Sequence, residues 1–264
     1  MDALAFFQTY EVCLNWRVAI DLTCLGTSDA FGSVGRHNAG YLLDTGRTRL
    51  LVDAGPSVHV ALKSLEEAPN TIDAIVISHL HGDHFAGIPF LLLDYTYESR
   101  RDRPLHVIGP PGIERRVQRL YETLYSERRG DTLPFPVHFT EMKAGSATEV
   151  ADTRIESFFV PHQDNELSLG HKFSAGGTSV VYSGDTPWTD DLIHQSSGAD
   201  LFLCECSTFD KEIPKHVRYV ELEKDRQRLE CKELLLVHLG REIRQRASEI
   251  ELPLADDGVK KTIG

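Results

Sequence analysis

The stretch from residue 79 to residue 84 carries three histidines and one aspartate within six positions. Imidazole nitrogens and carboxylate oxygens are the donors that a borderline-soft divalent ion such as zinc takes from a protein. The donors here are His79, His81, Asp83 and His84, and Gly82 gives the backbone between them freedom to turn. This density of donors predicts a metal-dependent reaction centre rather than a polar loop that happens to be rich in histidine.

The residues around this stretch indicate how it is held. The run 74–77 is short and apolar, as a buried strand would be, and the donors begin directly after Ser78. Three later apolar runs also end at a residue that can bind a metal ion, namely His162, Asp185 and His238. Taken singly, each could be a helix cap or a buried structural residue. Their recurrence at the ends of apolar runs predicts that they complete the metal site.

Short apolar runs outnumber helical patterns along the chain. They predict strands at 18–25, 40–44, 50–53, 72–78, 105–108, 137–139, 154–160, 170–173, 179–183, 201–205 and 233–237. Helical patterns fall at 58–67, 87–93, 113–125, 189–195, 216–229 and 242–249. Because tight turns join many of the strands, the pattern favours an α+β fold of two packed mixed sheets flanked by helices, in one domain spanning residues 1–264.

The composition argues against several classes of function. The net charge is −12 with histidine neutral, and such a surface does not attract nucleic acid non-specifically, because phosphate contacts need clustered Lys and Arg. No apolar run reaches the roughly 20 residues of a membrane span, and residues 1–16 lack the pattern of a secretory signal. We therefore expect a cytoplasmic protein with no membrane partner.

The cysteines do not form the pattern of a disulfide framework or of a zinc knuckle. There are five of them, without a C-x-x-C pair: Cys13, Cys24, Cys204, Cys206 and Cys231. Cys204 and Cys206 alternate along an apparent strand, so both side chains point to one face. We predict that these two are buried, reduced thiols rather than metal ligands.

The donors at residues 79–84 match the H-x-H-x-D-H motif of the metallo-β-lactamase fold family, which the chain resembles from about Leu22 to Gly240. The family fold is an αββα sandwich, in agreement with the predicted strands and helices. The resemblance implies two metal ions, one held by His79, His81 and His162 and the other by Asp83, His84 and His238. It also implies that Asp185 bridges the two ions and that Asp53 supports the ligand loop from behind.

Three further segments resemble ribonuclease Z and its phosphodiesterase relatives within that family. They are the stretches 25–38, 109–113 and 204–209. Ribonuclease Z also carries a Gly/Pro-rich arm that grips tRNA, but residues 110–162 hold no such stretch. tRNA is therefore a doubtful substrate, and we expect a small-molecule or nucleotide-type phosphodiester instead.

The resemblance to this branch also implies a reaction. Two metal ions would clamp a phosphodiester and generate a metal-bound hydroxide near neutral pH, which Asp83 would orient. A leaving alkoxide needs a proton donor, and we predict that His216, held by Glu205, has that role. The alternative is structural: Glu205 caps a neighbouring loop, and His216 opens a surface helix after Pro214.

The segment before the second predicted strand could form the mouth of the site. Arg36, His37 and Asn38 lie there between glycines that give the backbone flexibility. We predict that these three residues bind substrate, with Arg36 in contact with a phosphate. An ordinary surface hairpin would account for the same residues.

Two other functions are compatible with the sequence. The same fold could hydrolyse a thioester, a lactone or another carboxylic ester. A non-catalytic metal-binding or sensor protein is the second alternative, and the complete ligand set counts against it. The donor types favour Zn²⁺ but also suit Mn²⁺ or iron. The sequence leaves the oligomeric state open, a homodimer included.

Overall fold

A computed structural model describes residues 17–128, 130 and 132–264 of the chain. The described strands form two sheets. The strands of the first sheet are β1 (Ile20–Gly26), β2 (Gly40–Asp44), β3 (Arg49–Val52), β4 (Ala74–Val76), β5 (Leu105–Gly109), β6 (Val137–Glu141) and β13 (Lys260–Ile263). Those of the second sheet are β7 (Ala147–Val150), β8 (Thr153–Val160), β9 (Ser168–Ala175), β10 (Thr178–Tyr182), β11 (Leu201–Glu205) and β12 (Glu233–Val237).

The strand order is β13-β1-β2-β3-β4-β5-β6 in the first sheet and β12-β11-β10-β9-β8-β7 in the second. The described helices are α1 (Val58–Ser64), α2 (Gly82–Phe85), α3 (Ile88–Tyr97), α4 (Ile113–Leu124), α5 (Asp190–Ser196), α6 (Tyr219–Asp225) and α7 (Arg241–Gln245). Short 3-10 turns lie at Ser33–Gly35, Pro69–Thr71, Ser126–Arg128, Arg226–Arg228 and Ala247–Glu249.

The two sheets pack face to face and share one apolar core. Successive side chains of a strand point to opposite faces of its sheet. In β3, Leu50 and Val52 lie in the core between the sheets, whereas Leu51 is buried on the face that the helices cover. From the second sheet, Phe173 and Tyr182 are fully buried in the same inner core. The prediction of two packed mixed sheets is therefore confirmed.

Helices cover the outer face of each sheet. Residues of α1, α3 and α4 pack on the first sheet, and residues of α5, α6 and α7 pack on the second. The order of layers is thus α, β, β, α. Cys204 and Cys206 both lie in the outer core of the second sheet as buried free thiols, as predicted. Cys13 and the segment 1–16 lie outside the described residues.

Two strands, β7 and β13, have no counterpart among the predicted ones. Each lies at an edge of its sheet, where side chains remain exposed and natural sequences use polar residues, so the apolar signal is weak. The predicted helix over 216–229 is wrong at its start, because α6 begins at Tyr219. The described part of residues 110–162 contains α4, β6, β7 and the whole of β8, and it includes no Gly/Pro-rich arm.

The directions of the strands bring the predicted donors together. β3 runs parallel to β4, and β10, β11 and β12 run parallel to one another. β8 runs in the same direction as β10, because each is antiparallel to β9. The carboxyl ends of these strands therefore lie at one edge of each sheet, and the donors follow those ends. In the described part of the chain, every helix is too short or too polar to span a lipid bilayer.

Candidate metal centre

Three histidines meet where β4 and β8 end. The Nδ1 atom of His81 lies 3.1 Å from the Nε2 atom of His79 and 3.1 Å from the Nε2 atom of His162. Two nitrogens bound to one tetrahedral zinc ion, each at about 2.05 Å, would be about 3.3 Å apart. The three ring nitrogens are thus spaced as ligands of a single ion would be.

A second group of donors lies beside the first. It comprises Asp83, His84, Asp185 and His238, whose ligand atoms all lie within 4.8 Å of one another. The Oδ2 atom of Asp185 is 3.2 Å from the Nε2 atom of His84 and 3.4 Å from that of His238. The same oxygen is 3.8 Å from the Nε2 atoms of His79 and His162. Asp185 therefore lies between the two groups of donors.

Two atoms at this centre are buried without a hydrogen-bond partner among the described residues, the Nε2 atom of His84 and the Oδ1 atom of Asp185. Such orphaned polar atoms are costly, and they usually indicate a ligand, water or ion that the contacts of the protein do not provide. A divalent cation satisfies a carboxylate oxygen and a ring nitrogen at once. The residues present therefore fit the divalent metal ions that the donor set implies.

The ring nitrogens on the far side of the histidines are held by hydrogen-bond partners. Each contact is made by an Nδ1 atom. His79 contacts the Ser78 hydroxyl at 3.1 Å and His84 contacts the Asp53 carboxylate at 2.7 Å. His162 contacts the Lys215 carbonyl and His238 contacts the Ser207 hydroxyl, both at 3.1 Å. A partner on the far nitrogen fixes the ring orientation and the tautomer, and so leaves Nε2 free to bind a metal ion. Each of these four rings is thus aimed at the centre before any ion binds.

Asp53 is the most extensively bonded of these supporting residues. It is fully buried and accepts hydrogen bonds from the backbone amide and hydroxyl of Ser78 and from the hydroxyl of Tyr182, each at 2.8 Å, and it contacts His84 at 2.7 Å. Its backbone has a left-handed φ of 54°, which is unfavourable for a residue with a Cβ atom. In the structure, Asp53 lies behind the ligand loop, and its role in supporting metal binding stays a prediction.

Replacement of Asp53 by asparagine should weaken metal binding by about 10–100-fold, the usual cost of losing a partner behind a metal ligand. The amide keeps the shape but offers N–H groups where Ser78, Tyr182 and His84 need an acceptor. Titration of the metal-free variant with Zn²⁺ measures the effect. Asp152→Asn is the matched control, since Asp152 also accepts hydrogen bonds, from Thr45 and Thr48. Equal Zn²⁺ affinity in wild type and the Asp53 variant would show that Asp53 only stabilises the fold.

The side chains of the predicted pair His216 and Glu205 are in contact in the structure. The Nδ1 atom of His216 lies 3.0 Å from the Oε1 atom of Glu205, which is fully buried at the end of β11. Glu205 also accepts a hydrogen bond from the amide of Thr186 at 2.6 Å, so it does hold a neighbouring loop. His216 precedes α6 and lies over the centre, with its ring 5.0 Å from that of His162 and stacked 5.6 Å from that of His238.

Charges at the centre favour the ionised carboxylates. Burial by itself would raise the pKa of Asp83 and of Asp185, but the neighbouring His84 and His238 hold both pKa values below their usual range. Burial lowers the pKa of His216, yet the Glu205 carboxylate outweighs burial and raises that pKa to about 9. A His216 side chain with this environment carries a proton at neutral pH.

The three predicted substrate-binding residues lie in the loop before β2. The guanidinium of Arg36 makes an ion pair with Asp256 at 2.9 Å, and the backbone amide of His37 donates to Asp257. The side-chain amide of Asn38 donates to two carbonyls of the same loop, those of Asp29 and Ala30. In this structure the three residues serve to hold their own loop, and a phosphate contact by Arg36 stays a prediction.

Three residues near the centre were not predicted from the sequence. The Ser207 hydroxyl lies within hydrogen-bond distance of Glu205, His216 and His238. Arg116 and Lys215 border a cleft of about 470 Å³ together with His81 and His162. No local sequence pattern distinguishes a single serine after a strand, or one arginine on the charged face of α4, from its neighbours. Only the tertiary structure shows that these residues lie near the centre.

Solved structures with the same arrangement of layers define the class of fold. The metallo-β-lactamase fold protein YhfI from Bacillus subtilis superimposes with a TM-score of 0.75 at 22% identity, covering 93% of this chain and 100% of that one. The short form of human tRNase Z gives a TM-score of 0.75 at 23% identity, covering 92% of this chain and 99% of that one. The protein has the metallo-β-lactamase fold.

Sequence comparisons identify the relatives and the family of the chain. The ribonuclease Z of Lachnoclostridium phytofermentans is 27% identical over an alignment 271 positions long, gaps included, which covers 83% of this chain and 87% of that protein. The ribonuclease Z of Methanothermobacter thermautotrophicus is 25% identical and covers 89% of this chain and 91% of its own length. A family model described as Anti-Pycsar protein Apyc1 matches residues 20–253, and the chain belongs to that family.

Proposed function

We propose that this protein is a dinuclear, metal-dependent phosphodiester hydrolase. The first ion would be held by His79, His81 and His162 and the second by Asp83, His84 and His238, with Asp185 between them. The observation that carries the proposal is the position of the Asp185 carboxylate, whose Oδ2 atom lies within 3.2–3.8 Å of a ring nitrogen from each of four histidines. One carboxylate oxygen close to two sets of nitrogen donors suits a site that holds two metal ions side by side.

Zinc is the ion that we propose for both positions, because the donors are mainly imidazole nitrogens. When bound, two such ions lower the pKa of a coordinated water and neutralise negative charge on a phosphate. The nitrogen spacing of about 3.1 Å at the first position supports this choice. Manganese and iron use the same donor types and are distinguished by elemental analysis.

The residues of the chain then have separate tasks. The Asp83 carboxylate lies 3.4 Å from the Nε2 atom of His238 at the open side of the second donor group, where it can accept a hydrogen bond from the attacking water. The water oxygen bonds to phosphorus while the bond from phosphorus to the leaving oxygen breaks, and the proton that the water loses passes to solvent, from which His216 is later reprotonated. The leaving oxygen takes a proton from the His216 imidazolium, and Glu205 holds that ring in place. The products are a phosphomonoester and an alcohol.

A small-molecule or nucleotide-type phosphodiester is the proposed substrate class. The similarity to ribonuclease Z proteins supports phosphodiester chemistry. The net charge of −12 and the helix and strands described within residues 110–162 argue against a long tRNA contact. A compact substrate requires only the metal centre and the clefts beside it.

Elemental analysis of the purified protein, together with two assays, tests the proposal. We expect two divalent ions per chain and hydrolysis of bis(p-nitrophenyl) phosphate that a chelator abolishes and Zn²⁺ restores. Hydrolysis of a thioester but not of the phosphodiester would replace the proposed substrate class with carboxylic esters. Bound metal without activity on either substrate would indicate a metal-binding or sensor protein.

A further inference from the structure

His81 differs from the other histidine donors in how its ring is held. The four other donor rings each have a hydrogen-bond partner on Nδ1. His81 is exposed, and its Nδ1 atom faces the Nε2 atoms of His79 and His162. Within the described part of the chain, no hydrogen-bond partner lies at the Nε2 atom of His81. The orientation of this ring therefore depends on the backbone of the ligand loop and on the two neighbouring rings.

The guanidinium of Arg116 contacts that backbone directly. Its Nη2 atom donates a hydrogen bond of 2.9 Å to the Leu80 carbonyl, which belongs to the peptide group that joins Leu80 to His81. The central carbon of the guanidinium also lies 5.6 Å from the centre of the Phe85 ring, within the range of a cation–π contact. Leu80 and Phe85 are both buried. Arg116 therefore contacts the ligand loop on both sides of residues 81–84.

The same guanidinium reaches a loop of the second sheet. Its Nη1 atom donates a hydrogen bond of 2.9 Å to the Oε1 atom of Glu166. Glu166 lies in the segment 161–167, which joins β8 to β9 and includes the donor His162. The two facing nitrogens of His81 and His162 are only 3.1 Å apart. One side chain thus bridges the two loops whose donors meet at the first metal position.

Helix α4 gives Arg116 a fixed base, because Ile113 and Val117 of this helix are buried against the first sheet. A planar guanidinium donates from two nitrogens in fixed directions, whereas the single ammonium of a lysine does not set the separation of two acceptors. The side chains of Arg116 and Glu166 are 36% and 33% exposed, and ion pairs this exposed add little to the stability of a fold. The contacts of Arg116 therefore fix positions more than they stabilise the chain.

We propose that Arg116 is a positioning residue of the metal centre. It holds the ligand loop and the segment 161–167 at the separation that one ion bound by His79, His81 and His162 needs. This inference rests on the dinuclear centre proposed above. Arg116 is not itself a ligand, since a guanidinium has only hydrogen-bond donors. It raises the affinity for the first ion because donors that are already in place need less ordering when the ion binds.

Titration of metal-free protein with Zn²⁺ tests the proposal in two backgrounds. His238→Ala removes a donor of the second position only, and His162→Ala removes a donor of the first only. In the His238→Ala background, Arg116→Met should weaken Zn²⁺ binding by about tenfold, the lower end of the cost of losing a partner behind a metal ligand. In the His162→Ala background, the same substitution should change the affinity by about twofold or less, because His84 keeps its contact with Asp53.

Three further variants, made in the His238→Ala background, identify the contact responsible. Arg116→Lys keeps the positive charge and should recover little of the lost affinity. Glu166→Gln keeps an acceptor oxygen without its charge and should give a smaller loss. Combined with Arg116→Met it should add no further loss, since both changes remove one shared contact. Arg115→Met is the matched control, because it removes an exposed arginine at the preceding position of α4, and it should leave Zn²⁺ affinity unchanged.

The melting temperature of the metal-free protein separates positioning from a general role in the fold. Arg116→Met should lower it by about 3 °C or less, the effect of an exposed ion pair on a chain of this size. Three results would overturn the role of Arg116: equal weakening of Zn²⁺ binding in both backgrounds, unchanged binding in both, or a larger fall in the melting temperature. A wild-type protein that binds fewer than two ions would instead refute the proposed function.

Discussion

Replacement of Asp185 by asparagine is expected to lower phosphodiesterase activity by at least about a thousandfold, which corresponds to about 4 kcal/mol of transition-state stabilisation. The change keeps the shape of the side chain but removes the negative charge that lies between four histidine rings. Without that charge, two divalent ions at neighbouring positions would repel each other with less compensation. The metal content should therefore fall from two ions per chain towards one.

Asp200→Asn is the matched control for this variant. Asp200 is likewise almost fully buried and ion-paired, with Arg17 and Lys232. It precedes β11 and so lies at the amino end of that strand, away from the donors. The control should retain two ions and the activity of the wild type. An Asp185 variant that keeps both its metal content and its rate would contradict the two-metal site.

Replacement of His216 by alanine should have an effect that depends on the leaving group. With thymidylyl-(3′→5′)-thymidine, which releases a poorly stabilised alkoxide, we expect kcat to fall by about 10³-fold, within the range of general acid catalysis. With bis(p-nitrophenyl) phosphate, which releases a stable phenolate that needs no proton, the loss should be about tenfold or less. Metal content should stay at the wild-type value, because His216 is not among the proposed ligands.

Further variants test whether His216 is the proton donor. Glu205→Gln should give an intermediate loss with the same dependence on the leaving group, since Glu205 acts by holding the His216 ring. His194→Ala removes an exposed histidine on α5 and should change neither rate. Equal losses with both substrates, or a parallel loss of metal, would mean that His216 supports the metal centre and does not donate a proton.

The proximity of the candidate metal donors could be predicted from sequence because each lies next to a strong local signal. His162, Asp185 and His238 each follow an apolar run, and a parallel strand delivers the residue after its carboxyl end to a common edge. The four donors of residues 79–84 lie within six positions, so their proximity needs no tertiary contact. Local pattern and tertiary arrangement agree at these residues.

Other features depend on contacts between distant parts of the chain. Arginine is a residue type that often binds phosphate, but the partner of Arg36 in the structure is Asp256, which is 220 positions away. Ser207 becomes notable only when the ends of β11 and β12 place it against His216 and His238. A single sequence contains no record of such long-range pairings.

The division of the donors between the two sheets has a thermodynamic consequence. His79 to His84 follow a strand of the first sheet, whereas His162, Asp185 and His238 follow strands of the second. An ion that binds donors from both sheets acts as a cross-link, and it stabilises the folded chain by an amount that grows with the logarithm of the free metal concentration. Metal supply would then govern the lifetime of the protein in the cell as well as its catalytic rate. Without the bound ions, the two sheets would open more readily at this edge, and the chain would become accessible to proteases.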